Sequence, residues 1–233
     1  LAARRRFRWD RLAVVGCAVH LVAGLLFSPL TSPRSVRIAG AGPGVDREAM
    51  AKRLDGLRGR AWSPQLEWDA RSALLGDPWV ASAAWSSNPF GRARARLETR
   101  VPVAVSKASV LTADGKWLPR RPGVGLGLPE VRLPASALGV AAGLAGTGDG
   151  PRLADTVRRA QDAVPGLAIL ELDELGVLSL RWKAGHRAVL GSWQRLDDKL
   201  AAAARILGGK KEPDSRTLVL VAPESPVWSA PGG

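Results

Sequence analysis

The chain has 233 residues, 46% of them hydrophobic, and a single cysteine, so it can bury cores of its own but cannot form an intramolecular disulfide. Its net charge is +13, and five arginines against one aspartate precede Leu12, which leaves +9 on the remainder. That excess excludes an acidic, disordered class of chain and predicts an anionic surface or an acidic partner.

The first patterned segment is apolar, from Leu12 to Phe27, and Ser28, Pro29 and Leu30 extend it to nineteen residues. As a helix it would reach roughly 28 Å, close to the thickness of a hydrocarbon core of about 30 Å. The expectation is a transmembrane helix over 12–30 with a basic cytoplasmic tail over 1–11, because an arginine excess is retained inside. A cleaved signal would end in a small-x-small site, and Ser-Pro-Leu-Thr-Ser-Pro offers none. On this reading the bulk of the chain is extracytoplasmic, where its charge points to anionic headgroups, wall polymers or an acidic protein, with no nucleic acid as partner.

Beyond the run, Ser35 to Ala39 reads as a short strand closed by a glycine-rich turn. Asp46 is placed to cap a helix with Met50, Leu54 and Leu57 on one face. A second helix is expected from Trp68 or Asp69 to Leu75, ended by Asp77-Pro78. Strands follow over 79–85 and 92–105, and Arg92 to Glu98 alternates small or apolar residues with charge, as a half-buried strand does. Of the nine tryptophans, Trp68, Trp79, Trp182 and Trp193 fall on faces expected to be buried.

Further on, Thr112 to Trp117 suggests a hairpin, residues 130–150 a loop, and Pro151 to Val164 a helix. Leu167–Leu172, Val177–Trp182 and Arg187–Leu190 form a predicted meander. Trp193, Leu196, Leu200, Ala203 and Leu207 share one stripe of an amphipathic helix ended by Gly208-Gly209. A last strand is expected over 218–221. The class is α+β.

Val36 to Gly40 after the apolar run, Trp68-Asp69, Asp77-Pro78-Trp79-Val80, Asn88-Pro89 and the segment Arg96 to Ala104 resemble the motifs of a POTRA domain. They are similar to the one in the FtsQ/DivIB family of bacterial division proteins, and the second half resembles that family's β domain through the 112–117 hairpin, Leu128-Pro129, the meander and the lysine-bearing helix. The resemblance implies a single transmembrane helix, a β-α-α-β-β POTRA domain over 35–104 and a mixed β domain over 105–228. It further implies a bitopic scaffold of the divisome in the cell membrane at the septum, linking FtsB- and FtsL-like and other divisome membrane proteins through extracytoplasmic contacts. By the same resemblance Val219, Val221, Ser225 and Trp228, with Arg205 on the preceding helix, would contact the partner, the last strand offering a sheet edge.

The residues themselves point to no enzyme, metal or cofactor. His20 and His186 are the only histidines, and no serine sits in a Gly-x-Ser-x-Gly elbow. The acidic sets Asp197-Asp198 and Glu171/Asp173/Glu174 read as solvated faces. The alternative function is a membrane-tethered envelope enzyme or wall-polymer binder carrying a POTRA-like module.

Overall fold

The structure is a computed structural model that describes residues 2–26, 28, 32–61, 63–88, 91–134, 149–207 and 217–229. These form an α+β chain in two compact units, Leu1–Thr99 and Arg100–Gly233.

The first unit opens with α1 (Ala2–Leu26). Among the described residues no helix is long and apolar enough to cross a membrane. This overturns the transmembrane helix expected over 12–30, and with it the single-pass placement in the cell membrane with an extracytoplasmic body. The physical reason is length: the apolar part of α1 from Leu12 to Leu26 is fifteen residues, about 22 Å at 1.5 Å per residue. The helix continues backwards into the arginine-rich segment, and Phe27, Pro29 and Leu30, needed to complete the span, lie outside the described residues.

After α1 come β1 (Ser35–Ala39), α2 (Arg47–Asp55), α3 (Pro64–Leu75), β2 (Val80–Ser87) and β3 (Arg92–Thr99). The strands form one sheet in the order β1-β3-β2, with β1 parallel and β2 antiparallel to β3. Asp46 caps α2 by accepting from the amides of Glu48 and Ala49, and Ser63 caps α3 by accepting from Leu66, with Pro64 in its first turn. Met50 and Leu54 of α2 and Leu66, Ala70 and Leu74 of α3 are buried with Ala83, Trp85, Ala93, Ala95 and Leu97 of the sheet. The second helix thus starts earlier than expected, and Trp68 faces outward, 65% exposed.

Trp79 is fully buried just ahead of β2. Its indole lies under Gly44, whose φ of +92° and lack of a side chain permit the contact: a Cβ there would stand 2.9 Å from the ring. A register shift between Val80 and Ser82 resets the alternation, so Ala83 and Trp85 point inward while Ala81 is exposed.

The second unit holds β4 (Pro102–Val105), β5 (Ser109–Thr112), β6 (Trp117–Pro119), β7 (Glu130–Arg132), α4 (Asp149–Ala163), β8 (Leu167–Leu172), β9 (Leu178–Trp182), β10 (Arg187–Gly191), α5 (Leu196–Leu207), β11 (Thr217–Val219) and β12 (Val227–Ser229). Nine of these strands make one sheet in the order β12-β11-β10-β9-β8-β7-β4-β5-β6. Residues 102–104, expected to end the first domain, belong with Val105 to β4, which pairs with β5 and β7. Residues 130–132, expected as loop, are a strand between β4 and β8.

The pairs β7-β8 and β10-β11 are parallel, and each is connected through a helix, α4 and α5, because parallel neighbours need a crossover. Both helices bury their apolar stripes in one core: Leu153, Val157 and Ala160 from α4 and Leu200 and Ala203 from α5 join Leu170, Leu180, Trp182, Leu190 and Leu218 from the strands. Residues alternating with these on β9 to β12, among them Ser179, Val189, Val219 and Val227, form the opposite face.

Candidate partner-binding edge

Strand β11 has three residues, Thr217–Val219. It lies parallel to β10, with Val219 beside Val189, and the Leu220 amide continues the ladder by donating to the Val189 carbonyl at 2.8 Å. The chain then turns through Ala222 to Ser225, where the Ser225 amide donates to the Ala222 carbonyl at 3.1 Å, and returns antiparallel as β12. The last strand is therefore 227–229 and not 218–221. The edge expected at β11 is covered by β12, and β12 itself stands at the margin of the sheet. The missed strand had a signal, since Val-Trp-Ser follows Pro226 as a short period-two segment.

Pairing sets the two faces. Leu218 and Trp228 are directly opposite; Leu218 is fully buried and Trp228, half-buried, leans on the same core. Val219 faces Val227 across the ladder, so Val189, Val219 and Val227 stand abreast on the face away from the helices. Val227 is 59% exposed and closes this row at the margin of the sheet. Its neighbour Val221 is 60% exposed and leans over Gly191, where a Cβ would come within 3.2 Å of it.

Of the residues singled out from the sequence, Val219 lies in the valine row, Val221 and Ser225 in the connection to β12, and Trp228 on the core side of β12. Arg205 is exposed on α5, the helix that covers the other face. The structure thus gathers the first four around one strand pair and sets Arg205 on a different layer. Val189 and Val227 complete the surface and were not singled out.

A clamp holds the turn that leads into β12. Arg195, with φ +54°, precedes α5, and its carbonyl accepts from the Lys199 amide at 3.1 Å. Its guanidinium donates to Asp198 at 2.9 Å and also to Glu224 in the 222–225 turn. The hydrogen bonds to Glu224 and Asp198 hold the Arg195 pKa above its ordinary value. Glu224 is held below the usual carboxylate range by a backbone hydrogen bond first and by Arg195 second. Nearby, a cleft of about 450 Å³ between α4 and α5 has Arg152 over the Trp193 ring at 5.1 Å and Arg159 bonded to Asp197 at 2.7 Å. Its arginines and aspartates largely answer one another, so it reads as a tie between helices.

Three of the five acidic residues considered for chemistry have structural partners. Asp197 binds Arg159, Asp198 binds Arg195, and Asp173 accepts from the amides of Leu175 and Val177 to close the β8-β9 turn. His186 lies in the β9-β10 turn, where its carbonyl accepts from the Trp182 amide. Among the described residues no group of three or more His, Cys, Asp or Glu side chains could hold a metal ion. What the margin offers is an outermost strand, β12, flanked by the exposed apolar side chains of Val221 and Val227, the kind of edge to which a further strand can add. No family model and no curated protein matches this chain.

Proposed function

We propose that the chain is a non-enzymatic scaffold of the bacterial division machinery, which receives a small FtsB- or FtsL-like protein by strand addition beside β12. Two observations support the reading. The first unit follows the β-α-α-β-β order that the sequence resemblance implies. The observation that carries the proposal is the position of β12 as the outermost strand of the nine-stranded sheet, beside the half-buried Val189 and Val219 and the exposed Val227. An incoming strand would extend the sheet past β12, and its side chains at every second position would lie over the valine row.

The test uses the full chain and the FtsB-like protein of the same cell. Val227 is exposed, so Val227→Arg leaves the fold intact and puts a charge at the contact; affinity is expected to fall by about tenfold or more, as a charge stranded in an apolar contact costs more than about 1.4 kcal/mol. Trp228→Ala is expected to weaken binding further, whereas Arg205→Glu, on the helix layer, is expected to leave it unchanged. Full affinity in Val227→Arg at an unchanged melting temperature would place the interface elsewhere.

A further inference from the structure

We infer that the open face of the β1-β3-β2 sheet receives an acidic segment of a partner protein, extended along β3 with a carboxylate on every second residue. The inference does not depend on the division reading or on the β12 margin. Strand β3 turns Ala93, Ala95 and Leu97 to the core and Arg92, Arg94 and Arg96 outward. Parallel pairing sets Arg37 of β1 directly beside Arg94, with Ser35 beside Arg92 and Ala39 beside Arg96. On the other flank Ser86 stands beside Arg94 and Ala84 beside Arg96.

Among the described residues none of the four arginines makes an ion pair. The one acid on this face, Glu98, accepts from the Ser82 hydroxyl at 2.7 Å. The helix side of the unit is balanced, with Arg47, Lys52, Arg53, Arg58, Arg60 and Arg71 against Asp46, Glu48, Asp55, Glu67, Asp69 and Asp77. Within residues 35–99 the surplus charge is therefore gathered on the sheet. Folding gains nothing from it, since like charges directly opposite one another, as in Arg37 and Arg94, oppose strand pairing.

Geometry selects the occupant. Successive arginines on β3 are about 6.6 Å apart along the strand, the repeat of alternate side chains in any extended chain. That spacing lies inside a Debye length of about 10 Å at 0.1 M salt, so the row acts as one field. Each guanidinium fork can take a carboxylate through two hydrogen bonds. The small neighbours leave hollows of about 570 and 690 Å³ to either side of Arg94, room for such side chains to descend. Base stacking requires exposed aromatics, and Trp85, the aromatic of these strands, is buried in the core. A membrane surface would be met by large apolar side chains, and the residues between the arginines are serine and alanine.

The test is fluorescence polarisation of the labelled peptide acetyl-Glu-Thr-Glu-Thr-Glu-Thr-Glu with the full chain at low ionic strength. Binding is expected, weakening as salt is raised, and stronger than for an isomer with its four glutamates contiguous. Arg37→Ser with Arg94→Ser should lower affinity by about tenfold or more, whereas Arg47→Ser with Lys52→Ser on the helix side should leave it unchanged. Arg94→Lys keeps the charge and the fold but removes the fork, and a several-fold loss is expected there too. Undiminished binding in the arginine variants, equal affinity for the two peptides, or preferential capture of oligothymidylate or phosphatidylglycerol vesicles would each overturn the proposal.

Discussion

Lys199 lies on the covered side of α5, 3% exposed, and its ammonium donates to the Ser192 carbonyl at 2.9 Å. Burial lowers its pKa from the ordinary 10.5, and the neighbouring Arg195 charge lowers it further. A lowered folded-state pKa means that the unfolded chain holds the proton over a pH range in which the folded chain has released it. Stability therefore rises with pH across that window, up to about 10.5, and the cost of sealing in the charge is fully present below the folded value. Urea unfolding midpoints at successive alkaline pH values should show this rise as a difference between the parent chain and Lys199→Met. An identical pH profile in the two would mean that Lys199 is charged in both states and solvated through local opening. The contact with Ser192 also fixes the chain between β10 and α5, which brings Arg195 within reach of Glu224.

At the scale of elements, β12 has three residues and one neighbour, so its stability depends on the turn that delivers it. Arg195 ties that turn to the start of α5 through Glu224 and Asp198. Arg195→Ala should speed amide hydrogen exchange in β12 while leaving β8 and β9 protected; equal protection of β12 would show that Trp228 anchors it without the clamp. Local patterns made part of this architecture legible. Val157 and Ala160 mark the buried stripe of α4, Leu200 and Ala203 that of α5, and the close-set strands β8, β9 and β10 are separated by Glu-Leu-Gly and Lys-Ala-Gly turns. The start of α3 was legible too, in Ser63-Pro64, but Trp68 suggested a buried face and the helix instead buries Leu66, Ala70 and Leu74 at a spacing of four. Strand order was not legible, because β4 meets β7 and β11 is closed by β12 through pairings that no local period encodes. Hence the residues of the candidate edge were found around β11 and Trp228, while Val227 and Val189, which join them only through register, were not. The span over 12–30 failed for another reason: hydropathy counts apolar residues wherever they stand, whereas a membrane requires them in one uninterrupted helix.

For the whole molecule, the chain carries two hydrophobic cores with no residue in common. One gathers Met50, Leu54, Leu66, Leu74, Trp85 and Leu97; the other gathers Leu170, Leu180, Leu190, Leu200 and Leu218. Each of the two units closes its own sheet, and the strands of one sheet do not continue into the other. Cooperativity follows shared burial, so calorimetry of the full chain should resolve two transitions. Trp79 is the probe that assigns them. It is fully buried in the first unit beneath Gly44, and its indole N–H has no hydrogen-bond partner, so the side chain contributes through packing alone. Trp79→Ala should cost about 3–5 kcal/mol, enough to move one transition down by more than about 10 °C in a unit of this size. The other transition should stay where it is, since none of its core side chains is touched. If both move together, the units unfold as one block and the separation of their cores does not govern stability; if neither moves, the space under Gly44 collapses around the truncated side chain at little cost.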